Sequence, residues 1–283
     1  MEEYIKTIMD IPWDFTSKAV VRDEVAYFKI EGASRNQNFR LPQSYVFVIF
    51  EQCKGTHSID FTTYKEKNLQ IHISFPGQIR SWNTGECAIG HKLIIKKELV
   101  ERLLFDSFLL SSKSNRIPIV DITKQIYGRI FIELGSLSRE LESCKPDAKI
   151  IEARTQLILR LIDRELGKEL AKEKRRLPSL LQNFYNLVDE HFILQKNTGF
   201  YAEKLAVSSG HLATLCREHL GQSAKEIIDQ RVLLEAKRHL LGTTYSIKEI
   251  TYLLDFNCMS RFAIFIKTKT GYYPKEFRNR FIA

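Results

Sequence analysis

The chain reads as a two-domain α+β protein, β-rich in its amino-terminal part and all-α in its carboxy-terminal part. Three observations predict this. Its 283 residues exceed the ~150 expected of one domain. Residues 19–95 break into short apolar runs separated by turn residues, which is how strands read. Beyond residue 179 the apolar residues recur every three or four positions, and one helix-turn-helix figure occurs twice.

The strands are expected in AVVRDEVAYFKIEG, SYVFVIFEQ, HSIDFTTY, LQIHISF and CAIGHKLII. Gly32, Lys54-Gly55, Lys67-Asn68, Pro76-Gly77 and Thr84-Gly85 supply the turns between them. Short strands at this spacing favour a barrel or a double-sheet roll. The segment QIHISFPGQIRSW, an apolar strand running into a P-G-Q turn and then a Trp, resembles a cupin-like (jelly-roll) sensor domain. Some cupins are metalloenzymes, which need His and Glu converging on one ion. Here His57, His72 and His91 are isolated in sequence, with Gln70 two before His72. No metal and no cofactor is therefore expected. Trp13, Tyr27, Arg80 and Trp82 lie in or beside the expected barrel and are the candidate ligand-binding residues, since pockets combine apolar walls with a few polar groups. Plain core packing of the aromatics is the competing reading.

Residues 96–111 should form a helix, followed by a short strand in IPIVDI. A stripe at Ile122, Ile126, Ile130, Leu134, Leu137 and Leu141 predicts a long amphipathic helix, broken at Pro146 and followed by a second from about 148 to 174. The stripe needs a partner, which is either a second copy of the chain or the barrel. The basic segment EKRRLP marks a linker. The boundaries read as a β-rich domain with its helices at 1–172, a linker at 173–178 and a helical domain at 179–283.

In that last part, Ser246 and Glu249 form an S-x-x-E capping box ahead of a helix with Ile247, Ile250 and Leu254 on one face. Asn257 is placed to cap a second helix, whose Phe262, Phe265 and Ile266 point inward. Gly271 is placed to end it, and Pro274 to begin the next. Upstream, Ala202, Leu205, Val207 and Ser208 match Thr251, Leu254, Phe256 and Asn257 at an offset of 49. Leu212, Leu215, Cys216 and Gly221 then match Phe262, Phe265, Ile266 and Gly271 at an offset of 50, so one residue is inserted. Between the copies, QSAKEIIDQRVLLEAKRHLLG reads as a helix opened by Ser223/Glu226 and closed by Gly242.

Residues 180–281 are identified as similar to the DNA-binding domain of the AraC/XylS family of bacterial transcription regulators. The motifs are YAEKLAVSSGHLATLCREHLG, R-x4-A-x3-LL at Arg231, Ala236, Leu240 and Leu241, then SIKEITYLLDF, FIKTKTG and YPKEFR. The resemblance implies sequence-specific binding of double-stranded DNA by the second helix of each copy. The residues it places at the DNA are Ser209, Gly210, His211, Ala213, Thr214 and Arg217 in the first copy. In the second they are Met259, Ser260, Arg261, Ile264 and Lys267. Of these Arg261, early in the helix and on the face opposite Phe262, Phe265 and Ile266, is the one able to make a bidentate contact with guanine and is expected to be the main base-reading side chain. The resemblance also implies a homodimer, an RNA polymerase contact and a small-molecule effector sensed by the amino-terminal domain. The sequence departs from the family at Ala206 and Asp255, where the inter-helix turn usually carries Gly, at Thr251, where a small Ala is usual, and at Ile264, where a polar or basic residue is common.

Composition fits this reading. Residues 173–283 carry 17 Lys and Arg against 11 Asp and Glu, within a net charge of +9 for the whole chain. That balance suits a nucleic-acid-facing half. No apolar run reaches the ~18–20 residues of a membrane span, and the acidic start MEEYIKTIMD lacks the order of a secretory signal. A cytoplasmic, non-enzymatic protein is expected. The five scattered cysteines contain no C-x-x-C pair, which fits neither a disulfide framework nor a zinc site. The competing classes are a ligand-independent regulator acting through protein contacts and a cupin enzyme with a helical appendage.

Overall fold

The computed structural model describes residues 19–22, 24–104, 107–110, 117–174 and 178–282. The chain divides into two compact units, residues 1–170 and 171–283.

The first unit holds two antiparallel sheets. The larger has six strands in the order β1-β2-β9-β4-β7-β10: Ala19–Arg22, Val25–Glu31, Ile89–Lys96, Ser44–Gln52, Gln70–Ser74 and Ile119–Asp121. The smaller is β3-β8-β5-β6: Ser34–Arg40, Ile79–Thr84, Gly55–Ile59 and Thr62–Glu66. Successive side chains on a strand point to opposite faces, and both faces of the large sheet are covered. On one face Val25, Phe47, Ile49, Ile71, Leu93 and Ile95 meet the helices. On the other, Ala26, Phe28, Val46, Val48, Phe50 and Ile94 meet Trp82 of the small sheet. Burial on both faces explains the unbroken apolar run Tyr45–Phe50, since a strand exposed on one side would alternate.

Three helices follow: α1 (Lys97–Leu103), α2 (Lys124–Glu142) and α3 (Ala148–Lys174). Thr123 caps α2 by accepting from the Ile126 amide. Ile130, Leu134, Leu137 and Leu141 are all fully buried in the cluster on the large sheet. The apolar stripe is thus the inner face of α2, and the exposed face presents Phe131 and Ile132 instead.

Four sequence expectations need correction, the first being that AVVRDEVAYFKIEG is two antiparallel strands, Ala19–Arg22 and Val25–Glu31. HSIDFTTY is two strands, because Asp60 and Phe61 both have positive φ, 48° and 70°, and reverse the chain as a tight hairpin. The strands Ser34–Arg40 and Ile79–Thr84 were not foreseen; neither carries a run of alternating apolar residues. The helix expected over 96–111 stops at Leu103, and Phe108–Leu110 is a 3-10 turn. Asp163 of α3 holds that turn, its Oδ1 accepting from the Leu109 amide at 2.8 Å and the Ser107 hydroxyl at 2.7 Å.

The second unit is all helical: α4 (Ser179–His191), α5 (Thr198–Lys204), α6 (Ser209–Leu220), α7 (Ala224–Gly242), α8 (Ile247–Leu253), α9 (Met259–Thr270) and α10 (Pro274–Ile282). Helix α7 is its axis. Ile227, Ile228 and Val232 pack with α4, α5 and α6, while α8, α9 and α10 pack along the same helix. Gly242 is the last residue of α7, with Thr243 as the C-cap.

Candidate nucleic-acid interface and barrel interior

The two helix-turn-helix copies, α5–α6 and α8–α9, are built alike down to the backbone. After α5 the chain turns at Ala206 (φ 54°), and after α8 at Asp255 (φ 52°). In each turn the next amide closes back on the helix: Val207 N–H to Ala202 O at 3.0 Å, and Phe256 N–H to Thr251 O at 3.0 Å. A left-handed residue at this point redirects the chain within three residues, so the second helix crosses the first at short range. Ala202 and Thr251 are both buried there, and the Thr251 hydroxyl satisfies itself on Ile247 O at 2.7 Å. The departure from Ala is accommodated by that bond. Gly221 (φ 65°) and Gly271 (φ 83°) end α6 and α9 in the same left-handed form.

One position differs from expectation. Ser208 caps α6 by accepting from the His211 amide at 3.1 Å, but the N-cap of α9 is Cys258, which makes no side-chain cap bond. Asn257 is the inserted residue rather than the cap. Counted from the caps, the recognition helices share one burial pattern over ten residues, from His211 and from Arg261 onward. Leu212 and Cys216 in the first, and Phe262 and Ile266 in the second, are fully buried.

Of the residues assigned to the DNA, Ser209, Gly210, His211, Thr214, Arg217, Met259, Ser260, Arg261, Ile264 and Lys267 are exposed, and Ala213 is half-buried. Lys267 leans over the Tyr273 ring at 4.1 Å. Lys269 is turned away to Asp229 of α7 at 3.2 Å. Arg261 makes no hydrogen bond or ion pair among the described residues, so its guanidinium projects from the second turn-helix junction with all its donors available. An exposed helix start beside the available Arg261 guanidinium is a surface able to approach a groove between phosphates.

The other candidate site is the interior between the two sheets. Trp82 and Arg80 both point into it and are buried. Tyr27 does not: it faces the helices, where its hydroxyl pairs with His91 Nδ1 at 2.8 Å. His91 in turn lines a surface groove of about 640 Å³ with Phe131, Ile89 and Cys87. Trp13 lies outside the described residues. The histidines expected to stand alone do not. His57 and His72 meet across the interior, Nδ1 to Nδ1 at 2.9 Å, with the His57 ring stacked on Trp82 at 3.5 Å. The parity of the strands carries this signal: His57, His72, Arg80, Trp82 and Lys92 all fall on the inward register of their strands.

The hydrogen bonds fix the tautomers. Gln70 Nε2 donates to Asp121 at 2.7 Å, so Gln70 Oε1 accepts, and His72 Nε2–H donates to it at 3.2 Å. His72 Nδ1 is then a lone pair that accepts from His57 Nδ1–H. This leaves His57 Nε2 a buried acceptor with no partner. Burial holds both rings neutral: desolvation pushes His72 down to about 3 and His57 well below its ordinary value. Desolvation also lowers His91 to about 4 and raises Glu66, which accepts from the Cys53 thiol at 2.9 Å, to about 7. Among the described residues no group of three His, Cys, Asp or Glu is placed to hold a metal.

Residues 201–280 match a family described as a helix-turn-helix domain. The carboxy-terminal unit carries that helix-turn-helix domain, and the match spans both helix pairs. The chain is a DNA-binding transcription regulator. Among solved structures, the C-terminal domain of AraT, a response regulator from Geobacillus stearothermophilus, is 24% identical over 37% of this chain and 88% of its own, with a TM-score of 0.35. The C-terminal domain of the two-component response regulator yesN from Fusobacterium nucleatum is 23% identical over 36% and 99%, with a TM-score of 0.34. ToxT from Vibrio cholerae is 13% identical over 92% of this chain and 99% of its own, with a TM-score of 0.45. Comparison with curated proteins finds no match. No described helix is long and apolar enough to cross a membrane.

Two predictions follow from this geometry. An L-residue held left-handed costs about 1–2 kcal/mol, and glycine returns part of any gain through its freer unfolded chain. Ala206→Gly should therefore raise the stability of the helical unit by about 0.5–1 kcal/mol, read as a shift in denaturant midpoint at constant slope. A lower midpoint would mean that the turn is not strained. The second concerns pH. Histidines whose folded pKa is depressed bind fewer protons folded than unfolded below about pH 6.5, so stability falls as pH drops, by up to about 1.4 kcal/mol per pH unit for each ring. Glu66, neutral when folded, opposes this between pH 7 and its ordinary value. With three rings against one carboxyl, the melting of the amino-terminal unit in the full chain, followed by tryptophan fluorescence, should move to lower temperature from pH 7 to pH 4.5. An unchanged or higher transition would refute the neutral-pair assignment.

Proposed function

We propose that the chain reads a bipartite operator, each recognition helix entering one major-groove segment, with Arg261 as the principal base contact of the second head. The observation that carries this is the shared backbone and burial of the two heads on one unbroken helix. The 19 residues of α7 make a rod of about 28 Å, which suits groove segments about one turn, ~34 Å, apart. Arg261 is the one outward residue early in α9 whose fork fits guanine O6 and N7 together. The other ten assigned residues, from Ser209 to Arg217 and from Met259 to Lys267, serve as supporting base and phosphate contacts.

The same proposal gives the amino-terminal unit, residues 1–172, an effector-sensing and dimerising role without catalysis, joined through 173–178 to the DNA-binding unit at 179–283. Support for an effector comes from the polar interior around Arg80, Trp82 and the His57–His72 pair, where His57 Nε2 has an acceptor to offer. Support for a homodimer comes from the exposed Phe131 and Ile132 on the outer face of α2. A cytoplasmic location and a contact with RNA polymerase belong to the same reading.

Full-chain protein on a selected operator should lose affinity steeply with salt, each neutralised phosphate adding about 0.9 to the log–log slope. Hydroxyl-radical footprints should show two protected patches about 10 base pairs apart for one monomer. Arg261→Ala should cost about 1–3 kcal/mol on the preferred base pair and little on its variants. A single patch, or uniform weakening with the slope reduced by one, would count against the bipartite model or against Arg261 as the reader. For the dimer, Ile132→Glu should lower the sedimenting mass with the fold intact. Ile130→Glu, which buries a charge in the monomer core, should instead unfold the amino-terminal unit. Equal mass for wild type and Ile132→Glu would remove the outer face of α2 from the interface.

A further inference from the structure

Counted from the caps, the two recognition helices match residue for residue in burial, and so they can be compared position by position on the face left in solvent. Ser260 stands opposite Gly210, Arg261 opposite His211, Lys267 opposite Arg217, and Ile264 opposite Thr214. The last pairing stands out because Ile264 is 63% exposed. Its neighbours one turn away, Ser260, Arg261, Lys267 and Thr268, are exposed and polar. A β-branched aliphatic side chain here gains nothing from water and is less favourable to the helix than Lys, Arg or Gln would be. It is not part of the core cluster of its own unit.

The face around it fixes what it can meet. Edges of base pairs in the major groove offer hydrogen-bond donors and acceptors, with one apolar group among them, the C5-methyl of thymine. We propose that Ile264 is a specificity-determining residue that packs on a thymine methyl. The second head would then demand thymine under the centre of α9. The first head, where the smaller Thr214 offers one methyl beside a hydroxyl, would place a weaker demand there. This rests on the DNA-binding reading above and adds to it a base preference and an asymmetry between two heads of one fold.

The test uses the full chain and its selected operator, with each thymine replaced in turn by deoxyuridine. That exchange removes the methyl and leaves every hydrogen-bonding edge as it was. Wild-type protein should bind about four-fold more weakly when one particular thymine of the second subsite is replaced, the effect of one buried methyl group. Ile264→Ala should bind thymine and uracil forms equally at that position, with an unchanged salt slope, because no phosphate contact is lost. Ile264→Val should keep most of the discrimination. Since the residue lies on the surface, both variants should melt like the wild type.

Indifference of the wild type to every replacement would overturn the proposal. So would undiminished discrimination in Ile264→Ala, which would hand the methyl to a neighbour such as Met259. Unchanged operator affinity in Ile264→Ala together with weaker recruitment of polymerase would also overturn it, by making this face a protein contact. Failure to bind any operator would instead bring down the DNA-binding reading itself, so the two failures are separable.

Discussion

The helical unit depends on one constraint: α7 has to remain a single rod while both of its ends are buried in different packing environments. Its start is fixed by the Ser223/Glu226 capping box, in which each partner satisfies the other's backbone. Arg231, near its middle, stacks on the Phe192 ring at 3.9 Å and pairs with Asp189 and Glu235 at 3.0 Å. Arg238 reaches the same Glu235 at 3.0 Å. Charges this sheltered add little by their pairing alone, since desolvation offsets most of the Coulomb gain. Removing one partner is costly, however, so the cluster fixes how α4 sits on α7. At the other end, Arg278 of α10 donates to Leu240 O and Tyr245 O at 2.9 and 2.6 Å, tying the last helix to the exit of the rod. Lys269, spent on Asp229, ties α9 to the rod as well.

The same logic separates what the residues revealed in sequence from what they hid. Helix boundaries in this unit were legible because they are written locally: Ser-x-x-Glu boxes, glycines where φ must be positive, and a proline where an N–H is not needed. Ala206 and Asp255 were legible as turn positions only through the family resemblance, which usually has glycine there. The cap of α9 was misplaced because residue type favoured Asn257, whereas packing of Phe256 and Phe262, 5.3 Å apart, sets the register and leaves Cys258 to start the helix. Local propensity lost to tertiary packing there.

In the β-rich unit the loss was larger, for a different reason. A sheet buried on both faces erases the alternation that would say which residues point inward. Hence Tyr27, next to interior residues in sequence, was grouped with Arg80 and Trp82 although it faces the helices. The stripe on α2 was visible, but amphipathicity says only that a face is covered, not by what. His57 and His72 lie 15 residues apart in sequence, and only the pairing of the strands brings them within a hydrogen bond. An interior that carries Arg80, Lys92 and two neutral histidines costs stability that an aliphatic core would have kept. Such a cost is commonly met at sites that serve something other than folding.

The two heads show where the fold stops constraining the chain. The fully buried positions of the recognition helices are apolar in both copies, and positions that must turn are left-handed in both, whatever residue stands there. The exposed positions are free of those demands, and there the copies diverge: His211 against Arg261, Thr214 against Ile264, Arg217 against Lys267. A duplicated fold can thus hold two surfaces in fixed register while each is altered alone. One consequence is that a substitution on the outward face of either recognition helix has no packing to disturb and must express itself through what the helix contacts. By the same token, a substitution at Leu212 or Phe262 acts on both, because the inward face positions the outward one.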